Sequence, residues 1–170
     1  NENTVPSLLA LRKMESLSKD QIRLLYRHIL TSDSQGMKSV EADIVQNKVL
    51  LDEASEEYRQ LLSNEEDQAL LEDDLASLEQ FRSAQLQILE LSRSNQTEAA
   101  SDLILQQALV IDKLATDFNA HTQFNKQLGE QSAVDANQQL TSAVVTSVIV
   151  SIATLVLIAL MGLFITRNLL

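Results

Sequence analysis

Helix-breaking and reactive side chains are scarce in this chain of 170 residues, which has one proline, three glycines, no cysteine and no tryptophan. So few turn-forming residues favour an all-helical protein, because strands need many more turns to connect them. The lack of cysteine excludes a disulfide framework, thiolate metal sites and thiol catalysis. The two histidines, His28 and His121, are 93 residues apart, and the sequence has no nucleophile–base constellation and no glycine-rich phosphate loop. We therefore expect no enzyme activity and no cofactor.

Charge is distributed unevenly along the chain, whose formal net charge is −11. This acidity argues against a nucleic-acid partner, because binding phosphates needs a basic surface. Residues 1–30 carry five basic against three acidic side chains, whereas residues 31–142 carry seven against 21. The acidic runs at 56–57, 65–67 and 72–74 are expected to form solvated helix faces, so no metal site is predicted from them.

One long apolar segment lies near the C-terminal end of the sequence. Residues 143–166 read AVVTSVIVSIATLVLIALMGLFIT and contain no ionisable group. At about 1.5 Å per residue, this segment crosses a hydrocarbon core of about 30 Å with some tilt. Arg167 follows at once, and the tendency of basic residues to stay inside places residues 167–170 in the cytoplasm. We therefore predict a transmembrane helix, with the acidic domain outside the cytoplasm.

Residues 1–142 show the apolar spacing of an amphipathic helical domain. Side chains three and four residues apart predict helices at about 5–31, 37–62, 64–92 and 96–142. Short connections force neighbouring helices to run antiparallel, which predicts an up-down-up-down four-helix bundle. The fourth helix is expected to continue into the transmembrane helix. A single long coiled coil is the rival architecture, but polar breaks between the stretches argue against it.

Local signals predict two of the helix starts and the place of each histidine. Ser63 with Glu66 has the spacing of a capping box, and Asn95 precedes Glu98 by the same interval. His121 falls on the apolar seam of the fourth helix, so we expect it to be packed in the core. For His28, an exposed position is the commoner case.

The basic side chains of the first helix form a pattern of their own. Arg12, Lys19, Arg23 and Arg27 are spaced by seven, four and four residues, so they follow one helical stripe. Like charges four apart repel by a few tenths of a kcal/mol per pair. Two explanations remain open from the charges alone: pairing with the acidic surface of the other helices, or binding of an anionic ligand by arginine side chains.

Four segments carry a resemblance to a known family: NENTVPSLLALRKMESL, LLDEASEEYRQLLSNEEDQALLEDDLASLEQFR, SRSNQTEAASDLI and FITRNLL. They resemble, in order, the start of helix one, helices two and three with their connecting turn, the distal turn, and the exit from the second membrane span of a bacterial methyl-accepting chemotaxis protein. The resemblance implies a first membrane span before Asn1. It also implies a HAMP linker, beginning at residues 167–170, and a signalling module beyond Leu170.

The same resemblance implies a ligand site and a location. In this family, arginines four apart near the membrane-distal end of helix one lie at a homodimer interface and hold the carboxylates of a small ligand. The ligand-binding residues expected here are Arg23, Arg27, Tyr26, Thr97, Ser101 and Arg93. The implied function is ligand sensing for chemotaxis, with signalling through helix four, in the bacterial inner membrane and with the sensor domain in the periplasm. A sensor domain of a histidine kinase or cyclase is an alternative, and a C-terminally anchored helical tether is a less favoured one.

Overall fold

The computed structural model describes residues 4–169, a range that contains helices and no strand. The helices are α1 (Thr4–Leu30), α2 (Ser34–Arg59), α3 (Glu65–Arg93), α4 (Thr97–Gln106) and α5 (Ala108–Leu169). Ion pairs join Lys13 to Glu57 and Arg27 to Asp43, so α1 and α2 run antiparallel. The predicted all-α class is therefore confirmed.

The chain divides after Leu128 into two compact units. The first unit contains α1 to α4 and the first part of α5, and it is the bundle. The second unit begins at Gly129 and consists of the remainder of α5. The predicted end of the sensor domain at residue 142 stays a prediction.

The core of the bundle is built from the apolar seams that the spacing predicts. Full burial of one leucine, isoleucine or phenylalanine side chain stabilises a fold by about 1.5–3 kcal/mol, so these seams hold the helices together. Every helix of the bundle contributes to a single cluster of buried side chains. Its largest fully buried members are Tyr58, Phe81, Phe118, Leu11, Met14, Leu25, Leu51, Leu71, Leu78, Ile88, Ile104 and Leu114.

The start of α2 lies earlier in the chain than the predicted position 37. Asp33 is the N-cap, and its carboxylate accepts a hydrogen bond of 2.7 Å from the backbone N–H of Gly36. This bond satisfies one of the free N–H groups at the helix start. Gly36 therefore lies in the first turn of α2, and the break between α1 and α2 is only three residues long.

The capping box predicted for α3 is displaced by one residue. Asn64, not Ser63, is the N-cap, and its side-chain oxygen accepts a hydrogen bond of 2.9 Å from the N–H of Asp67. The carboxylate of Asp67 accepts in return from the N–H of Ser63 at 2.8 Å. Asp67 takes the role predicted for Glu66 because it lies three residues after Asn64, the residue that caps the helix.

The role predicted for Asn95 was wrong, because this residue ends α3 and does not cap α4. Asn95 has a φ of 56°, in the left-handed region that asparagine tolerates better than most residues. The N–H of Gln96 donates to the carbonyl of Leu91 at 3.0 Å, and the N–H of Asn95 donates to Ser92 at 2.9 Å. These are the two bonds of a Schellman motif. The N-cap of α4 is Gln96, which makes no side-chain capping bond.

The predicted fourth helix is divided at Gln107 into α4 and α5. Its ψ of 6° departs from the helical value near −42°, although neither glycine nor proline lies there. The N–H of Gln107 is shared between the carbonyls of Leu103 and Ile104, both at 3.1 Å. Such shared bonds are typical of helix ends. The helical course nevertheless resumes at once, with Ile111 donating to Gln107 at 3.1 Å.

The second unit carries the apolar segment. Among the described helices, one is long and apolar enough to cross a membrane, and its most apolar 18-residue window has a mean hydropathy of 2.9. No part of that window is buried within the protein. A buried core helix, the usual alternative explanation for such a segment, therefore does not account for it.

Candidate functional site

A stripe of exposed side chains runs along the outer face of α1. Its members are spaced alternately by four and three residues, which is the spacing of a helix–helix seam in a coiled coil. Both ends of the stripe are apolar, and its middle is cationic. We call it the α1 stripe, and it consists of Val5, Leu9, Arg12, Ser16, Lys19, Arg23, Tyr26 and Leu30.

Both arginines of the predicted distal site are exposed and pair with nearby carboxylates. Arg23 lies on the α1 stripe and binds Asp20 of its own helix at 3.0 Å. Arg27 lies beside the stripe and binds Asp43 of α2 at 3.0 Å. Exposed ion pairs of this kind contribute about 0–1 kcal/mol. Loss of either ion pair therefore costs the fold little.

The predicted partners of these arginines lie on two helices. Tyr26 is on the α1 stripe with 42% of its surface exposed. Thr97 is exposed as the first residue of α4, and Ser101 is partly buried one turn later. No hydrogen bond or ion pair of the described structure joins Thr97 or Ser101 to Arg23 or Arg27.

Arg93 takes part in a different group of side chains, between α2 and α3. Its Nε donates to the carboxylate of Glu41 at 2.8 Å. The hydrogen bond from Arg93 lowers the pKa of the Glu41 carboxyl, with a smaller contribution from His28, and Glu41 in turn raises the pKa of Arg93. Because Arg27 binds Asp43, the two arginines use different residues of α2.

His28 is fully buried, so the expectation of an exposed histidine was wrong. Its ring nitrogens lie 2.8 Å from Ser92 Oγ and 3.0 Å from Glu41 Oε1. The face that α1 buries is wider than the apolar spacing predicts, because it also includes Leu24 and His28 beside Leu25.

A second group of polar side chains is buried where α2, α3 and α5 meet. His121 is fully buried; its Nδ1 lies 2.5 Å from Asp74 and its Nε2 lies 2.9 Å from Asp67. The hydroxyl of Tyr58 donates to Asp67 at 2.5 Å, and the amide of Asn125 donates to the same carboxylate at 3.0 Å. We call these five side chains the His121 network. The buried, hydrogen-bonded position predicted for His121 is confirmed.

Sequence reasoning missed the two carboxylates of this network. Asp67 and Asp74 lie in acidic runs and were expected on solvated faces, but both are fully buried. The available signal was their spacing, since each lies three or four residues from Leu71 on the apolar seam of α3. A charged residue on an apolar seam indicates a buried partner, because buried charges are usually paired. This signal outweighs the solvent exposure that the acidic neighbours suggest.

The network shifts the pKa of each of its ionisable groups. Burial alone would raise the pKa of Asp67, but hydrogen bonds from His121, Tyr58, Ser63 and Asn125 outweigh burial and lower it. Burial raises the pKa of Asp74 despite its bond to His121. Burial would lower the pKa of His121, yet the two carboxylates outweigh burial and raise it. The network therefore favours a charged imidazolium held by ionised Asp67.

Comparison with protein families identifies the bundle. The model of a four helix bundle sensory module for signal transduction matches residues 1–140, most of the chain. The chain belongs to this family. The resemblance to methyl-accepting chemotaxis proteins is thereby confirmed, and the sensory module together with the apolar helix indicates a membrane-associated protein of signal transduction. Comparisons with curated proteins and with solved structures found no match.

Proposed function

We propose that this sensory module detects a small carboxylate for a bacterial transmembrane chemoreceptor. The ligand binds where the α1 stripes of two subunits meet, near Arg23 and Arg27. The signal passes along the predicted fourth helix, which is α4 and α5 of the structure, and through the apolar segment to a cytoplasmic module. The bundle lies in the periplasm. The observation that carries the proposal is the α1 stripe, an exposed seam that is cationic at its centre.

The spacing of the α1 stripe suits a second copy of the same helix. An exposed seam of this kind is usually covered by another helix, and a two-fold dimer places each residue near its own copy. The apolar members at both ends, among them Leu9 and Leu30, are 65% and 80% exposed in one subunit. Dimerisation along α1 removes this apolar surface from water.

The same symmetry favours an anion between the two subunits. Pairing two stripes brings Arg12, Lys19 and Arg23 of one subunit towards their copies, and like charges at an interface oppose association. A carboxylate between the subunits offsets this repulsion and accepts charge-assisted hydrogen bonds from arginine. Because the cations come from two subunits, di- and tricarboxylates fit better than monocarboxylates.

Calorimetric titration of the chain in lipid nanodiscs with succinate and with citrate tests this proposal. We expect at least one of them to bind, and we expect Arg23→Ala and Arg27→Ala each to weaken binding at least about tenfold. Arg59→Ala is the matched control, because Arg59 is an exposed arginine of α2 that pairs only with Glu56 in the described structure. Affinity that is unchanged in both α1 variants would show that the site lies elsewhere.

A further inference from the structure

We propose that the bundle has a second ligand site inside each subunit, in a groove between α2 and α3, which takes a monocarboxylate with an apolar body. The groove has a volume of about 400 Å³, within the range of known ligand pockets. We call it the α2–α3 groove. It shares no residue with the α1 stripe, and the inference does not depend on the proposed dimer site.

The floor of the groove is apolar, and its rim is charged. Ile44 and Leu89 are buried at the floor, whereas Val45 and Leu86 are 62% and 68% exposed at its sides. The rim carries Lys48, Arg82 and Arg93 against Glu41 and Glu79, and Asp52 pairs with both Lys48 and Arg82, so these ion pairs balance in charge. The apolar floor and sides of the groove suit a ligand that has an apolar body.

Two unused hydrogen-bond donors lie on the α3 side of this groove. Gln85 lines the groove and is only 6% exposed, and its Nε2 donates to no group of the described residues. Arg82, one turn earlier, binds Asp52 and Glu79 through its terminal nitrogens, while its Nε is buried without a partner in the described structure. Both free groups are N–H donors, so the missing partner is an acceptor.

These donors define the chemistry of the ligand. A buried N–H without a partner destabilises a fold, and a carboxylate oxygen removes that cost while pairing with the guanidinium of Arg82. The proposal includes a movement of the Gln85 and Arg82 side chains towards the ligand, because the amide nitrogen of Gln85 and the Nε of Arg82 are both covered in the present structure. The apolar body of the ligand then lies on Ile44 and Leu89, between Val45 and Leu86.

Benzoate and isovalerate are suitable probes for the full chain in nanodiscs, with calorimetry as the readout. We expect one site per chain. We expect Gln85→Leu to weaken binding at least about tenfold, because leucine is similar in size to glutamine but has no N–H to donate. Gln87→Leu is the matched control, because Gln87 is an exposed glutamine of the same helix outside the groove. Val45→Trp fills the groove from its exposed side and is expected to abolish binding even if Gln85→Leu is poorly folded.

The variants also separate this site from the dimer site. If benzoate and isovalerate do not bind at millimolar concentration, or if binding survives both Gln85→Leu and Val45→Trp, the groove proposal is wrong. If Arg23→Ala and Arg27→Ala abolish binding of the same probes and the groove variants do not, the probes bind at the α1 stripe and the groove proposal is equally wrong. Loss of succinate and citrate binding in the α1 variants, with benzoate binding intact, supports both sites.

Discussion

Gln21 is a buried polar side chain that the bundle does not satisfy. It is fully buried on α1, and neither its amide oxygen nor its amide nitrogen has a hydrogen-bond partner in the described structure. A buried polar group of this kind costs about 1–3 kcal/mol relative to a paired one. An apolar side chain of similar size at this position avoids that cost.

We expect Gln21→Leu to raise the free energy of unfolding by about 1 kcal/mol, because it removes two unpaired polar atoms and adds apolar contacts. Thermal unfolding followed by circular dichroism at 222 nm measures the change. The control is Gln46→Leu, an exposed position on α2 where we expect a change within about 0.5 kcal/mol. A loss of stability in Gln21→Leu would mean that the amide is paired in solution.

The His121 network ties α5 to the ends of α2 and α3 through charges that are out of contact with water. Breaking a buried ion pair by removing one partner costs about 3–5 kcal/mol, because the other charge stays buried and unpaired. The network therefore fixes the position of α5 within the bundle more strongly than the exposed ion pairs of the surface do. In the proposed receptor, α5 is the helix that carries the signal.

The pKa shifts of this network predict how stability depends on pH. The raised pKa of His121 contributes stability that is present below its unfolded value of about 6.5 and is lost as the pH rises through the higher folded value. The lowered pKa of Asp67 contributes stability above about pH 3.9, which is lost as the pH falls. The raised pKa of Asp74 acts against folding above about pH 3.9.

We therefore expect the free energy of unfolding to fall as the pH rises above about 6.5, as His121 loses its proton in the folded protein. Urea titrations at several pH values measure this slope. His121→Gln is expected to be less stable at pH 6 and to show a flatter profile of stability against pH. Equal slopes for the two proteins would contradict the charged state assigned to His121.

At the scale of helices, the ends are set by local bonds that a sequence pattern locates only within a few residues. Asn95 shows this most clearly, because an asparagine before a helix is a good N-cap and an asparagine after one is a good left-handed residue. Both roles fit the sequence. The structure assigns Asn95 to the end of α3, where Leu91 and Ser92 accept the two closing hydrogen bonds.

The left-handed conformation of Asn95 makes a clear prediction for two substitutions. We expect Asn95→Gly to leave stability unchanged or slightly higher, because glycine adopts a φ of 56° without strain. Asn95→Val is expected to cost about 1–2 kcal/mol, because a β-branched side chain is strained there. Thermal unfolding of both variants tests this. If valine costs no more than glycine, Asn95 does not hold the left-handed turn.

Helix type and the buried faces follow from the sequence, because the three- and four-residue spacing of apolar side chains directly reflects helical geometry. The seam through Leu51 and Tyr58 on α2, and the seam through Phe118 and His121 on α5, are buried as their spacing predicts. The division at Gln107 is different. It depends on a shared backbone hydrogen bond, and no glycine or proline marks it.

At the scale of the whole molecule, the candidate sites differ in how far the sequence reveals them. The cationic stripe on α1 is visible as a repeat within one helix, and Arg23 and Arg27 are indeed exposed. The α2–α3 groove and the His121 network join residues that are distant in sequence. Gln85 and Asp74 are polar residues on apolar seams, but only the packing of the helices shows what surrounds each of them.

The proposed dimer predicts a specific cross-link. Ser16 lies on the α1 stripe, and the natural chain has no cysteine, so Ser16→Cys introduces the only thiol. A disulfide requires Cα atoms about 4.4–6.8 Å apart, which a two-fold contact along the stripe provides. We expect mild oxidation in nanodiscs to give covalent dimers of Ser16→Cys. Ser83→Cys, an exposed position on α3, is the control and should remain monomeric on non-reducing gels.

The central claim is that a carboxylate joins two subunits at the arginines of α1. Sedimentation equilibrium of the chain in density-matched micelles tests it most directly, by measuring the dimer dissociation constant with and without succinate or citrate. We predict that one of these ligands tightens the dimer at least about tenfold, and that Arg23→Ala combined with Arg27→Ala removes this effect. A chain that stays monomeric with either ligand, or a double variant whose dimer is tightened equally, would contradict the account.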